Sequence, residues 1–252
     1  IVDGDPGLDL WPFDVRRFGA PHAVKATLYE RAVEAYGRYY FIAFPNHELE
    51  AGRGARRSPL YDTLKRQGAV YGNKFGWERP NWFAPSGTPA VEVPTFERGP
   101  AFDAIAAEHR AVRERVALID MSSFSKYEVR GPGALALLQK LAVNDLDKPE
   151  GSIVYTQLCN ERGGIEADVT ITRLGAQRFY FVTGSALGVR DRSTIERHSP
   201  ADGSVDVVDH TSAKAVLNLC GPKSREVLAA LTDAPLDSAA FPYMSARELD
   251  LA

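Results

Sequence analysis

A paired glycine between two apolar stretches is the feature that most constrains the fold of this 252-residue chain. Gly163-Gly164 separates residues 154–159 from residues 169–173, where apolar and polar side chains alternate. Alternation is typical of strands with one buried face, and paired glycines supply the positive φ angles of a tight turn. The pattern therefore predicts an antiparallel hairpin here.

The residues around this hairpin predict both helices and strands. Apolar residues three and four apart predict a helix over residues 102–116, and a leucine-rich helix is expected after Gly131-Pro132. Further strands are expected over 126–130, 179–183, 205–209 and 215–220, with a helix over 190–198. Strand, Gly-Pro and helix recur at Gly221-Pro222, which suggests two related halves. We expect an α+β fold with an antiparallel sheet and flanking helices.

Residues 1–95 form a different region, rich in aromatic residues and interrupted by proline and glycine. Helices are expected over residues 24–36 and from Ser58-Pro59 onward. The aromatic stretch 75–83 is interpreted as a cluster of packed rings that anchors the surrounding loops. The proline-rich stretch 85–94 is interpreted as a linker. We therefore place two domains at residues 1–95 and 96–252.

Composition disfavours several classes of function. The formal net charge of -3 gives no general attraction to nucleic acid, and no run of about 18 apolar residues predicts a membrane span. The five histidines form no HxH or HExxH pair, so no metal site is expected. Cys159 and Cys220 are expected to be buried thiols in a reducing compartment.

Asp168 is the candidate functional residue, because it follows the double glycine at the start of an apolar strand. It could simply flank a wet turn, or the turn could aim it into a pocket. Tyr155, Phe179 and Tyr180 lie on the neighbouring predicted strands. A carboxylate surrounded by aromatic rings is costly unless it binds something, which favours the pocket.

Dinucleotide-binding, phosphate-loop and serine-nucleophile motifs are missing from the sequence. Gly52-Arg53-Gly54 has Arg57 at the third glycine position, and there is no GxxxxGK[ST] loop or GxSxG elbow. The chain opens on Ile1 and closes on an alternating stretch, 247–252, that predicts a strand. We expect the chain to be a piece of a longer polypeptide.

Several motifs resemble a known family. Asp120-Met121-Ser122-Ser123-Phe124-Ser125-Lys126, Asn144-Asp145 and the stretch from Leu158 to Asp168 are similar to the aminomethyltransferase (glycine cleavage T-protein) fold. Gly76-Trp77-Glu78-Arg79-Pro80, with Trp82-Phe83, resembles the region before this fold in flavin-dependent dimethylglycine and sarcosine dehydrogenases. Asp3-Gly4-Asp5-Pro6 is a weaker match to the same region.

The resemblance implies a small connecting domain followed by the first part of a folate-binding domain. In such enzymes a flavin domain, here expected before Ile1, oxidises a small methylated amine to an iminium. Tetrahydrofolate then captures the one-carbon unit as 5,10-methylenetetrahydrofolate. The resemblance implies that Asp168 contacts the folate N10 region and assists proton transfer. It also implies that Phe124, Tyr155, Tyr180 and Val182 line the pteridine slot.

The chain departs from the family pattern in three places. Ala167 stands where many members carry a second acid, Gly184 stands where an asparagine is frequent, and the second half of the fold, with a pterin-binding glutamate, is missing. We therefore expect the fragment alone to be inactive, without flavin, and weak at most in folate binding. The cofactors of the intact enzyme are expected to be tetrahydrofolate and FAD.

Alternative functions are an aminomethyltransferase or a folate-binding module without turnover, and residues 1–95 could instead brace a flavin domain. The expected location is the cytoplasm, or the mitochondrial matrix in a eukaryote.

Overall fold

The computed structural model of the protein describes residues 7–251, so the Asp3-Gly4-Asp5-Pro6 match lies outside the described residues. The first part contains three short 3₁₀ helices, helices α1 and α2, and the hairpin strands β1 and β2. Their bounds are Trp11–Phe13, Val15–Phe18 and Ala20–Ala23 for the 3₁₀ helices, then α1 Lys25–Gly37, α2 Tyr61–Arg66, β1 Ala69–Lys74 and β2 Trp77–Phe83.

The second part contains four helices and seven strands. In chain order they are α3 Ala101–Glu114, β3 Ala117–Asp120, β4 Ser125–Arg130, α4 Ala134–Leu141, β5 Ile153–Cys159, β6 Ile165–Gly175, β7 Arg178–Thr183, α5 Gly188–His198, β8 Asp206–Asp209, β9 Leu217–Cys220 and α6 Ser224–Ala229. Five strands form an antiparallel sheet in the order β5-β6-β7-β4-β8, and β3 pairs with β9 in a separate ribbon.

The main core lies on one face of the five-stranded sheet. Val129 of β4 and Phe179 and Phe181 of β7 have no exposed surface, and they belong to one cluster with Leu138 of α4 and Ile195 of α5. Burying each such side chain contributes roughly 1.5–3 kcal/mol relative to leaving it in water. The opposite sheet face is therefore the one left for ligands or other parts of the protein.

Most elements expected from the sequence are confirmed, including the hairpin of β5 and β6 and both strand, Gly-Pro, helix units. Two expectations were wrong. Residues 247–251 form no strand, and the stretch 75–83 is the turn and second strand of the β1–β2 hairpin. Phe75 and Gly76 both have positive φ, of 50° and 81°, which permits a two-residue hairpin turn.

The first part packs on one end of the open sheet face. Trp77 is buried, and the Lys126 Nζ lies 5.9 Å from the centre of its ring. Arg56 lies over the same ring and donates a hydrogen bond to Ser212 Oγ at 3.0 Å. Ser58 Oγ also donates to the carboxylate of Asp120. The hairpin and the segment before α2 thus cover part of the sheet.

Other expectations concern the cysteines, metal sites and membrane spans. Cys159 and Cys220 are free but partly exposed, because each ends a strand at a margin of its sheet, so the expectation of buried thiols was wrong. Within residues 7–251, no group of three or more His, Cys, Asp or Glu side chains is placed to hold a metal ion. No helix in that range is both long and apolar enough to cross a membrane.

Candidate functional site

The turn between β5 and β6 is ordered by the side chain of Asn160. Its Oδ1 accepts hydrogen bonds from the backbone N–H groups of Arg162 and Gly164, at 3.0 and 2.9 Å, and its Nδ2 donates to Glu166 Oε1 at 2.7 Å. Gly163 has a φ of 78°, in the left-handed region that favours glycine. The double glycine therefore makes a tight turn that starts β6 just before Asp168.

Asp168 lies on the open face of the sheet. Ala167 and Val169 are 3% and 2% exposed and belong to the core, so strand alternation turns Asp168 the other way. Its Oδ2 accepts a hydrogen bond of 3.1 Å from Tyr155 Oη. This bond, together with the negative charge of Asp168, raises the pKa of the Tyr155 phenol. The pair is an exposed, hydrogen-bonded carboxylate and phenol.

Three of the other residues implied by the resemblance lie on the same face. Across the strands, Tyr155 is opposite Thr170, Thr170 is opposite Val182, and Val182 is opposite Lys126. Tyr180 lies in the next row, opposite Glu128 and Thr172. Phe124 precedes β4 and is half-buried at a turn. The fold thus brings Tyr155, Asp168, Tyr180 and Val182 together on one surface.

Tyr180 is partly covered from the β8–β9 connection. The Lys214 Nζ lies 5.2 Å from the centre of its ring, a cation–π distance. Burial, followed by the nearby charge of Glu128, raises the pKa of Tyr180. Its ring is therefore held beneath a positive charge, whereas Tyr155 is 56% exposed.

The enclosed pocket expected around Asp168 is not among four well-formed pockets within residues 7–251. None of these four is lined by Asp168, Tyr155, Tyr180 or Val182. All four side chains project from one sheet face, and the first part of the chain covers the end of that face near Lys126. These residues therefore form one wall on the open sheet face.

Two departures from the family pattern have clear structural settings. Ala167 faces the core, so an acid at this position would have to be buried among apolar side chains. Gly184 is different, since a Cβ built on it would meet no atom within 4 Å. A Cβ at residue 184 would therefore meet open space.

Sequence reasoning did not single out Lys126, which has no exposed surface. Its Nζ donates a hydrogen bond of 2.7 Å to Ser122 O. Burial, and then the charge of Arg56, lowers the pKa of this amine to about 8. The alternation over residues 126–130 predicted the strand, but it could not show that Trp77 covers its polar face.

Sequence reasoning also missed Asp191, a buried carboxyl group at the start of α5. Its Oδ2 accepts a hydrogen bond of 2.5 Å from Thr183 Oγ1. Burial raises the pKa of Asp191 to about 6, although the hydrogen bond from Thr183 acts in the other direction. A charged residue in a helix pattern is normally solvated, so no sequence signal marked it.

Comparisons with known proteins agree with this fold. Residues 60–252 match the family model described as the GCVT N-terminal domain, and residues 3–58 match the FAD dependent oxidoreductase central domain. The two matches meet between residues 58 and 60, while the boundary placed at residue 95 stays a prediction.

Three curated relatives cover nearly the whole chain. It is 38% identical over 252 residues to 4-methylaminobutanoate oxidase (formaldehyde-forming) of Paenarthrobacter nicotinovorans, covering 100% of this chain and 30% of that protein. It is 36% identical to the mitochondrial pyruvate dehydrogenase phosphatase regulatory subunit of Mus musculus, covering 100% of this chain and 29% of that protein. It is 32% identical to the mitochondrial sarcosine dehydrogenase of Homo sapiens, covering 96% of this chain and 31% of that protein.

A solved structure supports the same assignment. The glycine cleavage system aminomethyltransferase T from Bartonella henselae superposes with a TM-score of 0.60 and 26% identity, covering 75% of this chain and 46% of that one. The chain spans about three tenths of the length of the curated relatives named above. The α+β fold and the resemblance to these families are confirmed. The chain therefore belongs to the family of the GCVT N-terminal domain, preceded by a segment of the FAD-dependent oxidoreductase central domain.

Proposed function

We propose that the chain is the part of an FAD-dependent N-methyl amino acid dehydrogenase or oxidase that contributes the tetrahydrofolate-binding domain. In the intact enzyme the flavin domain oxidises a small methylated amine, and the one-carbon unit leaves as 5,10-methylenetetrahydrofolate. Two of the relatives are named as a 4-methylaminobutanoate oxidase (formaldehyde-forming) and a sarcosine dehydrogenase, which supports the oxidation of a small methylated amine. The flavin chemistry lies outside this chain.

The observation that carries the proposal is the shared sheet face of Asp168, Tyr155, Val182 and Tyr180. Flat aromatic rings suit a flat heterocycle, and the aliphatic Val182 lies in the same cross-strand row as Tyr155, next to the row of Tyr180. The Asp168 carboxylate, oriented by Tyr155, can accept a hydrogen bond from an amine and take its proton. Reduced folate supplies the amine nitrogens that take up the one-carbon unit.

The open face fits folate as one wall of a site. A ligand lying there would meet the Asp168–Tyr155 pair at one end and the covered Lys126 end at the other. The space beside Gly184 leaves room for the ligand or for a side chain that contacts it. Enclosure of the ligand requires a further part of the full-length protein, whose relatives are about three times longer than this chain.

The test is Asp168→Asn in the full-length protein. Because this carboxylate acts on folate and not on the flavin, formation of 5,10-methylenetetrahydrofolate should fall 10²–10⁴-fold, as expected for loss of a general base, while amine oxidation stays nearly normal. Both rates are measured on the same preparation. The matched control is Asp206→Asn, which removes an exposed carboxylate of β8 that pairs with Arg130. This variant should leave both rates unchanged. Equal loss of both activities in Asp168→Asn would refute this division of labour.

Gly184→Asn is a second variant, which is expected to strengthen folate binding. Since nothing lies within 4 Å of the added Cβ, the amide should be accommodated and add a hydrogen-bonding group at the site. We expect tighter binding of reduced folate, measured by calorimetry, with unchanged amine oxidation.

A second candidate function is a folate-binding or regulatory module without turnover. The 36% identity to a phosphatase regulatory subunit favours it, because that relative is not named as an oxidoreductase. The full-length protein decides between the two. Bound FAD with oxidation of N-methyl amino acids supports the enzyme, whereas folate binding without any oxidation supports the module.

A further inference from the structure

The start of β6, which carries Asp168, has an open edge. Pairing with β7 begins only at Thr170, opposite Val182. On the other side, the register with β5 shifts between Leu158 and Cys159, so that Glu166 is opposite no residue of β5. A backbone carbonyl at such a bulge needs another partner or water. Residue 166 therefore has no opposite residue on either neighbouring strand.

Arg190 of α5 reaches this open edge. Its Nη2 donates a hydrogen bond to the backbone oxygen of Glu166, and its Nη1 lies 3.7 Å from Glu166 Oε2. Its Nε lies 3.6 Å from Oδ1 of the buried Asp191. The side chain is only 18% exposed. Charge-assisted hydrogen bonds from a planar guanidinium have fixed directions, so Arg190 restrains the strand two residues before Asp168.

Trp11 contacts Arg190 from the first part of the chain. The guanidinium carbon of Arg190 lies 5.9 Å from the centre of the Trp11 ring. Trp11 Nε1 donates a hydrogen bond of 3.2 Å to Ala186 O, in the connection between β7 and α5. A continuous set of contacts thus runs from the segment that matches the oxidoreductase central domain, through Arg190, to the start of β6.

We propose that Arg190 is a positioning residue that sets the orientation of Asp168, and that Trp11 holds Arg190 in place. The inference rests on the proposed function only in giving Asp168 a role. Loss of the Arg190 guanidinium frees residue 166, and with it the Asp168 carboxylate on the same strand. The first part of the chain would then influence the folate side through one arginine.

The hydrogen bond between Tyr155 and Asp168 offers a direct reporter. It raises the pKa of the Tyr155 phenol, so this pKa falls if Asp168 moves away. The experiment is a pH titration of the 252-residue chain with ¹³C-labelled tyrosine, followed by NMR without any ligand. Tyr155→Phe assigns the signal, and Asp168→Asn defines the pKa of Tyr155 without the carboxylate.

In Arg190→Gln we expect the pKa of Tyr155 to fall most of the way from its value in the unmodified chain to its value in Asp168→Asn. Arg190→Lys should show a smaller fall in this pKa, because an ammonium keeps the charge but lacks the planar set of donors of a guanidinium. Trp11→Ala should give a smaller fall in the same direction. Arg192→Gln is the matched control on the same helix, since Arg192 pairs with Glu196 and Asp209, and it should leave Tyr155 unchanged.

An unchanged Tyr155 titration in Arg190→Gln, alongside a fall in Asp168→Asn, overturns the proposal. So does an unchanged titration in Asp168→Asn, because Asp168 is then not held by Tyr155. If Arg190→Gln does not fold, Arg190→Lys carries the test, and a titration identical to the unmodified chain overturns the proposal. Because no folate is present, a failure of the folate proposal leaves this outcome unaffected.

Discussion

Lys126 and Asp168 lie on the same face of the five-stranded sheet, but their surroundings are opposite. Asp168 is exposed, whereas Lys126 is covered by Trp77 and has no exposed surface. Arg56 adds a second positive charge beside Lys126, and Asp120 and Asp209 offset it only in part. Burial of this charge therefore opposes folding at neutral pH.

The buried amine predicts a pH dependence of stability. The pKa of Lys126 is about 8 in the folded chain, whereas an unperturbed lysine has a pKa of 10.5, so the unfolded chain binds more protons between these values. The contribution of Lys126 to the free energy of unfolding should then rise as the pH increases from about 8 to 10.5. The total rise is roughly 3 kcal/mol, since one pKa unit corresponds to about 1.4 kcal/mol.

Lys126→Met tests this at pH 7 and pH 10 by urea unfolding. The free energy of unfolding of the variant, relative to that of the unmodified chain, should be higher at pH 7 than at pH 10. The reason is that only the charged amine is costly to bury. Lys140→Met, which removes an exposed amine from α4, should show no such difference. A Lys126→Met effect that is equal at both pH values would contradict the prediction.

At the scale of elements, both strand, Gly-Pro, helix units have a glycine with a positive φ between the strand and the helix. Gly131 joins β4 to α4 with a φ of 116°, and Gly221 joins β9 to α6 with a φ of 109°. A Cβ at Gly131 would lie 2.3 Å from Ser204 O, and one at Gly221 would lie 2.7 Å from Arg115 O. Each glycine permits a left-handed turn and the close approach of another backbone segment.

Gly131→Ala should therefore be strongly destabilising. The strained φ costs roughly 1–2 kcal/mol, and the clash with a backbone oxygen, which cannot rotate away, should bring the total to at least about 3 kcal/mol. Gly203→Ala is the control, since Gly203 has a φ of 76° but open space around its Cβ. It should cost only about 1–2 kcal/mol in urea unfolding. Similar losses in both variants would show that Ser204 moves freely.

At the scale of the whole molecule, residues 7–95 contact the second part at several places. Trp77 covers Lys126, Arg56 bonds Ser212, and Phe83 N donates to Glu108 Oε1 at 3.1 Å. Val70 and Trp82 of the β1–β2 hairpin also share a small core with Ala104 of α3. These contacts join the two parts by buried surface and not only by a linker.

We therefore expect the chain to unfold in one cooperative transition. All three tryptophans lie in the first 95 residues, whereas the five-stranded sheet lies in the second part. Thermal unfolding followed by tryptophan fluorescence and by far-ultraviolet circular dichroism should give the same midpoint. Two separate midpoints would show that residues 1–95 and 96–252 are independent domains.

Local patterns predicted most elements, because helix and strand periodicities depend on near neighbours along the chain. The 3- and 4-residue spacing after Phe102 predicted α3, and the glycine pair predicted the β5–β6 hairpin. The resemblance, not the pattern, assigned roles to Phe124, Tyr155, Tyr180 and Val182. Residues 247–251 show the limit, since alternation without a partner strand makes no strand.

The sequence by itself determined the antiparallel hairpin and the face of β6 on which Asp168 stands, because alternation is a property of the strand backbone. Only the tertiary structure decided which parts of that face are covered. Trp77 buries Lys126, and Arg190 reaches the carbonyl of Glu166, across long sequence separations. Burial depends on which distant segments pack together, and near-neighbour periodicity carries no information about that.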